Sequence, residues 1–140
     1  MARITLLPVR DTYIAEWYPA DSFAFSHLLY AGQFHGKGDI YRSILYFPID
    51  MVPGNVTILK AELEMLLCRN EMQDENGGID FHHVLGSWGN SPVSWERQPL
   101  YDSIPDNRME LGRDTPAGWV KVDLTELVQK WYDGSVINNG

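Results

Sequence analysis

The sequence is poor in cysteine, and Cys68 is the only one in 140 residues. A disulfide within the chain is therefore impossible, and the folded state must depend on its hydrophobic core. A chain of this length can bury about two-thirds of its unfolded surface around one core. We therefore expect one domain that spans residues 1–140.

Positive charge is also scarce. The chain has 11 Lys and Arg against 19 Asp and Glu, a net charge of −8, and no run of basic residues interrupts this excess. Nucleic acids and anionic bilayers attract clustered positive charge, so both are poor partners for this chain. Polyanionic sugars are disfavoured for the same reason, whereas neutral glycans are not.

Long apolar stretches are absent as well. No segment approaches the roughly 20 apolar residues of a membrane-spanning helix. Residues 1–8 carry one basic residue and only a short apolar stretch, too short for the core of a secretory signal. Any export would then be leaderless, or a signal would have been removed, and a cytoplasmic location stays open.

The main pattern in the sequence is alternation. Segments with a period of two, bounded by Gly, Pro, Asn and Asp, dominate the chain and predict an all-β fold. Within residues 58–68, Leu63 and Met65 lie on one side and Glu62 and Glu64 on the other. We expect an antiparallel β-sandwich with strands in residues 4–9, 11–14, 27–33, 43–49, 58–68, 79–85 and 119–122.

A single helix is predicted after the last strand. Its apolar stripe has the spacing i, i+3, i+4 and i+7 and consists of Leu124, Leu127, Val128 and Trp131. Asp123, with Glu126 three residues later, resembles a capping box, and Gly134 is a natural stop.

Three connections lack the strand pattern. Residues 70–78 are polar and end in glycine, which predicts an exposed hairpin loop. Residues 86–99 indicate irregular backbone held by Trp88 and Trp95. Residues 105–116 indicate a long polar connection.

Several stretches match one known family in order. They are residues 11–14, an arginine-led strand with a Pro-Gly turn in residues 41–63, a paired-tryptophan segment in residues 86–99, and residues 118–131 followed by Asn-Asn-Gly at 138–140. Together they resemble the DNRLRE domain family, jelly-roll-like β-sandwich modules related to carbohydrate-binding modules. The resemblance implies an extracellular or cell-surface module.

Members of that family usually continue past Asn-Asn-Gly with a short apolar strand that completes a sheet, and this sequence ends there. A missing strand would leave unpaired backbone groups along an edge, which invites strand addition from another copy of the chain. We therefore expect an assembly edge formed by Ile4, Thr5, Leu6, Leu7, Val9, Val136 and Ile137.

No catalytic site is indicated. The sequence has no nucleophile motif and no phosphate-binding glycine loop, and nothing nominates a particular pair of carboxylates. His82 and His83 would point to opposite faces of a strand, so they cannot share one metal. Residues 74–76 and 102–107 carry oxygen ligands of the kind Ca²⁺ takes, but both are ordinary turn sequences. We expect no metal and no cofactor, with calcium left open.

Aromatic residues are the informative class, with 5 Trp and 7 Tyr. Flat rings stack on sugars and also anchor protein interfaces. The candidate glycan-binding or interface aromatics are Trp17, Tyr18, Tyr46 and Tyr101. Trp95, Trp119 and Trp131 lie in family-like segments and are predicted to pack in the core or against the helix.

Three apolar side chains fall on faces that alternation assigns to solvent, namely Ile44, Tyr46 and Leu66. Either the helix covers them or they form an exposed apolar patch, which would indicate an interface.

Two functions stay open from the sequence. The favoured one is a non-catalytic structural subunit that self-assembles by β-strand complementation, as in an extracellular filament, a surface layer, or a phage or spore surface. The alternative is a carbohydrate-binding module that recognises neutral glycans through loop aromatics.

Overall fold

The computed structural model describes residues 2–89 and 92–140. All of its strand ladders are antiparallel, and one short α-helix lies near the C-terminus. The strands are β1 (Arg10–Ala15), β2 (Gly32–Gln33), β3 (Ile40–Tyr46), β4 (Glu62–Leu67), β5 (Gly77–Phe81), β6 (Asn107–Leu111) and β7 (Gly118–Asp123), and the helix is α1 (Thr125–Asp133). The predicted all-β sandwich class is confirmed.

The chain divides into two compact units. Unit 1 consists of Met1–Pro53, Val84–Tyr101 and Ile137–Gly140. Unit 2 consists of Gly54–His83 and Asp102–Val136. No helix in the described part of the chain is long and apolar enough to cross a membrane.

Unit 1 contains a sheet of three strands in the order β1-β3-β2. The register pairs Thr12 with Ile44 and Ala15 with Tyr41. Thr12 is 3% exposed, so its face of the sheet is the core face, and Ile44 lies on that same face. The core consists of Ile14, Val84, Trp88 and Val93, with Ile44, Tyr46 and Trp95 packed against it.

The core of unit 1 corrects the prediction for Ile44 and Tyr46 and confirms the prediction for Trp95. Ile44 and Tyr46 pack against the core of unit 1 instead of facing solvent. Sequence alternation fixed which residues share a face of β3 but not which face is buried. Trp95 packs inward as predicted.

The first predicted strand is wrong, since residues 2–8 form no strand. Val9 donates its N–H to the Tyr46 carbonyl at 3.0 Å, and β1 begins only at the next residue. Pro8 has no N–H with which to extend a ladder, which accounts for the late start.

Residues 27–33 also form less strand than predicted, because only Gly32–Gln33 pairs. The Ser26 hydroxyl donates to the Leu28 carbonyl at 2.9 Å and accepts from the Leu28 N–H at 3.1 Å. Such local side-chain bonds compete with a ladder for the backbone.

The last residues are tied into unit 1 by backbone and side-chain bonds. The Gly140 carbonyl accepts from the Val84 N–H, and the Asn139 carbonyl accepts from the Trp88 indole, both at 2.7 Å. Asn138 donates its amide to the Phe47 carbonyl at 2.7 Å. The indole of Trp88 is therefore anchored by the last residues of the chain.

Unit 2 contains two ladders, β4 with β7 and β5 with β6. Met109, Leu111 and Val122 form its buried centre. The apolar positions packed against them come from both ladders and adjoining segments, namely Leu63, Met65, Leu67, Met72, Ile79, Phe81, Val120 and Leu124. The alternation predicted for β4 is confirmed, over Glu62–Leu67.

Two predicted connections in unit 2 are wrong. Residues 105–116 contain β6, whose inward Met109 and Leu111 alternate with outward Arg108 and Glu110. This strand has only two apolar residues, which is too few for the alternation of apolar and polar residues to predict it. Residues 70–78 do not close a hairpin, because β4 and β5 pair with different strands and β5 already begins at Gly77.

Helix α1 forms where the apolar stripe predicts it, with Leu127 buried and Gly134 ending it at a φ of 82°. The predicted capping box does not form, because the N-cap is Leu124 and Glu126 is then the second helical residue instead of the third. Glu126 pairs with Lys130 at 3.1 Å. The Asp123 carboxylate instead accepts from the Thr125 N–H at 2.8 Å. This bond lowers the pKa of Asp123, since it stabilises the ionised form.

Candidate functional site

Six aromatic side chains contact one another in unit 1. This aromatic cluster consists of Tyr13, Tyr18, Phe23, Tyr30, Phe34 and Tyr41. Strands β1 and β3 supply one tyrosine each, and the segments on either side of β2 supply the other members. Residues far apart in the sequence thus form one surface.

The sheet positions the two central members. Tyr13 lies between Thr12 and Ile14, which are 3% and 0% exposed, so its ring points to the face opposite the core. Tyr41 pairs with Ala15 and therefore lies on that same outer face. Their ring centroids are 6.2 Å apart.

The other rings pack against these two in the geometries that aromatic pairs prefer. Phe23 stacks on Tyr13 at 4.3 Å with an interplanar angle of 14°. Tyr30 meets Tyr13 edge-on at 4.9 Å, and Phe34 meets Tyr41 edge-on at 5.0 Å. Two rings in offset-stacked or edge-to-face geometry attract each other by about 0.5–1.5 kcal/mol more than their buried apolar area alone accounts for. The cluster is therefore held in a defined arrangement.

The periphery of the cluster is open to solvent. Tyr18 is 49% exposed, Phe34 40% and Tyr30 38%. Two further aromatics that are close to them in sequence, Trp17 and Phe25, are still more exposed. Large apolar side chains left accessible together are typical of a binding surface.

A buried carboxylate organises the loop between β2 and β3. Asp39 is 2% exposed, accepts from the His35 N–H at 3.1 Å and contacts His35 Nδ1. The Asp39 carboxylate also acts on the Tyr41 phenol, whose pKa it helps to raise. Asp39 thus connects the cluster to His35, whose side chain is 83% exposed and so brings polar atoms to the surface beside the rings.

The two central phenols have raised pKa values. Burial is the main cause for Tyr13, with smaller effects from the neighbouring Tyr30 and Tyr18. Burial also raises the pKa of Tyr41 most, and the Asp39 carboxylate adds to the rise because it disfavours a second negative charge nearby. Both phenols therefore stay neutral and can donate or accept hydrogen bonds at neutral pH.

The four aromatic residues that the sequence analysis predicted as binding residues do not lie together in the structure. Tyr18 belongs to the cluster, and Trp17 precedes it with 60% exposure. Tyr46 is half-buried on the core face, where the Arg10 guanidinium lies 4.3 Å from its ring centroid. Tyr101 lies outside the cluster, with the Arg42 guanidinium 5.2 Å from its ring centroid.

The other members of the cluster were missed by sequence reasoning. They are Tyr13, Phe23, Tyr30, Phe34 and Tyr41. A signal was available, because the segment of residues 13–41 is dense in Tyr and Phe. Only Tyr13 and Tyr30 fall within predicted strands, and alternation within one strand does not show which rings of different segments converge.

The histidines and acidic turns make protein contacts. The His82 ring bonds the Asp102 carbonyl at 2.7 Å, and the His83 ring bonds Asp106 at 2.9 Å. Glu75 pairs with Arg113 at 2.7 Å. Within residues 2–89 and 92–140, no group of three or more His, Cys, Asp or Glu side chains could hold a metal ion.

Most residues of the predicted assembly edge lie at the surface. Ile4, Leu7, Val9 and Ile137 are between 49% and 76% exposed. Thr5 is exposed, while Leu6 and Val136 are half-buried. Among the described strands, β1 and β2 form the edges of the unit 1 sheet. Pairing of this edge with another molecule stays a prediction.

Aromatic rings that are held together at the surface of a sheet offer flat apolar faces on which a ligand can stack. The model of carbohydrate-binding module family 96 matches residues 2–137. The chain belongs to this family, which is one of non-catalytic binding modules. Comparison with curated proteins gave no match.

Proposed function

We propose that this chain recognises neutral glycans through the aromatic cluster of unit 1. The observation that carries the proposal is the solvent-open periphery of the cluster at Tyr18, Tyr30 and Phe34. Membership of a carbohydrate-binding module family supports it. The family thus favours the alternative predicted from the sequence over the self-assembling subunit.

Stacking is the physical basis of this recognition. One face of a pyranose ring carries mainly C–H groups, and an aromatic ring can cover that face while excluding water. The six rings hold one another in place, so little side-chain entropy is lost when a sugar binds. Sugar hydroxyls at the margin would find partners in His35 and the phenols of the cluster.

Charge supports a preference for neutral sugars. The chain carries a net charge of −8, which repels polyanions at low ionic strength. In the loop of residues 34–39, Lys37 is the only lysine or arginine. We therefore expect neutral polymers such as glucans, mannans or xylans to bind more tightly than uronic-acid polymers of the same length.

A matched set of variants tests the site. Tyr18→Ala and Phe34→Ala each remove an accessible ring of the cluster and should weaken binding about two- to tenfold. Tyr101→Ala is the control, because Tyr101 is a similarly exposed tyrosine of unit 1 outside the cluster. Binding is measured by calorimetry with the best ligand from a glycan array, and circular dichroism checks the fold.

Two results would contradict the proposal. One is an array in which no neutral glycan binds. The other is a pair of cluster variants with unchanged affinity while Tyr101→Ala loses binding. Either result would move the function away from the cluster.

The narrower resemblance to DNRLRE domains fits the same proposal, because that family is related to carbohydrate-binding modules. We further propose an extracellular or cell-surface location, where a module of this family would meet polysaccharides, and that residues 1–140 act as one module. Strand complementation at the predicted edge remains a separate hypothesis about assembly.

A further inference from the structure

Strand β7 exposes an indole on the outer face of unit 2. Trp119 is 75% exposed, whereas Val122 on the same strand is 5% exposed and Val120 packs against the core. The prediction that Trp119 packs inward is therefore wrong. Alternation along β7 places Trp119, Lys121 and Asp123 together on the outer face.

The neighbouring strand completes this surface. The register pairs Trp119 with Leu66, which is 54% exposed, and pairs Lys121 with Glu64. Directly opposite side chains in an antiparallel ladder have Cβ atoms about 5 Å apart. An exposed indole thus lies beside one aliphatic side chain and one pair of opposite charges, all on a regular ladder.

The size of this apolar surface limits what can bind there. A standard protein interface buries about 800 Å² on each partner. A tryptophan side chain supplies at most about 250 Å², and the outer face of the ladder adds only one leucine to it. The exposed apolar side chains of this ladder face alone therefore fall well below the area of a standard protein interface, whereas one indole is large enough to cover one sugar ring.

We propose that Trp119 forms a second glycan-binding site, on unit 2, that takes a single pyranose residue of a neutral glycan. The indole covers the C–H face of the sugar, Lys121 donates to its hydroxyls and Glu64 accepts from them. The inference rests on the ligand class proposed above but concerns a different surface.

The indole N–H resonances in NMR spectra test this site directly. Cello-, manno- and xylo-oligosaccharides are titrated into the intact chain, and the Trp119 resonance is assigned as the one that disappears in Trp119→Phe. We expect that resonance to shift and saturate with at least one oligosaccharide. Lys121→Ala should weaken that site about two- to tenfold.

Leu59→Ala is the matched control, since Leu59 is 66% exposed in unit 2 but lies outside the strand ladders. This substitution should leave the titration of Trp119 unchanged. Loss of calorimetric affinity in Tyr18→Ala and Phe34→Ala, without any shift of the Trp119 resonance, would overturn the second site and leave the aromatic cluster intact. A shift of Trp119 that persists unchanged in Tyr18→Ala and Phe34→Ala would support a second site that is separate from the cluster. No shift of any indole with any of these sugars would overturn it.

Discussion

Single residues decide which faces of this chain are functional. Ile14 and Tyr13 are adjacent in β1, yet one is fully buried in the core and the other anchors an exposed aromatic surface. The same division occurs in β7 between Val122 and Trp119. Sequence alternation gives the two sets of side chains, and only the register and packing show which set is buried.

The phenol of Tyr41 allows a test at this scale. Its pKa is raised above the ordinary value of 10.0, mainly by burial and then by Asp39. The neutral phenol therefore stabilises the folded state fully below pH 10.0, and this contribution is lost as pH rises through the higher folded pKa. Phenolate absorbance should show that Tyr41→Phe removes a late-titrating group.

Tyr132→Phe serves as the comparison for that titration, because it removes a phenol of unit 2 that lies outside the cluster. If Tyr41→Phe instead removed a phenol that ionises at the ordinary pKa, the burial of this ring in the cluster would be contradicted.

Helices and strands in which apolar residues recur at regular spacing could be predicted from the sequence. Elements with few apolar residues could not. β4 and α1 each carry three or more regularly spaced apolar residues, and both form where the sequence predicts them. β7 also forms where it is predicted, although only Val120 and Val122 face the core. β6 was not predicted, because only Met109 and Leu111 face the core and the residues between and before them are charged or polar. Residues 27–31 have strand-forming side chains, but local bonds at Ser26 compete for the backbone.

The end of β6 offers a test at the scale of elements. A Cβ at Gly112 would overlap the backbone carbonyl of Glu75, which cannot move aside as a side chain could. Gly112→Ala should therefore lower the free energy of unfolding by about 1–3 kcal/mol. At Gly54 a Cβ would meet nothing within 4 Å, so Gly54→Ala should change stability by less than about 0.5 kcal/mol.

Denaturant unfolding of both variants measures the difference. Equal stability of the two would contradict the close approach of residues 75 and 112. Because both glycines lie in unit 2, the comparison does not depend on unit 1.

For the whole molecule, the sequence predicted the class of fold better than the site. Alternation and one amphipathic helix were enough for an all-β module, and the order of several segments indicated a relative of carbohydrate-binding modules. Of the six rings in the cluster, only Tyr18 was among the candidate residues that the sequence analysis named. The other rings come from β1, from β3 and from the segments on either side of β2, and their convergence depends on how β1, β2 and β3 pair.

The central claim is that the aromatic cluster of unit 1 binds a neutral sugar. A crystal structure of the chain with its tightest-binding neutral oligosaccharide tests this most directly. We expect a pyranose ring packed against Tyr18 or Phe34, with a hydroxyl within hydrogen-bond distance of His35 or a cluster phenol. An oligosaccharide bound only to surfaces without any ring of the cluster would contradict the claim.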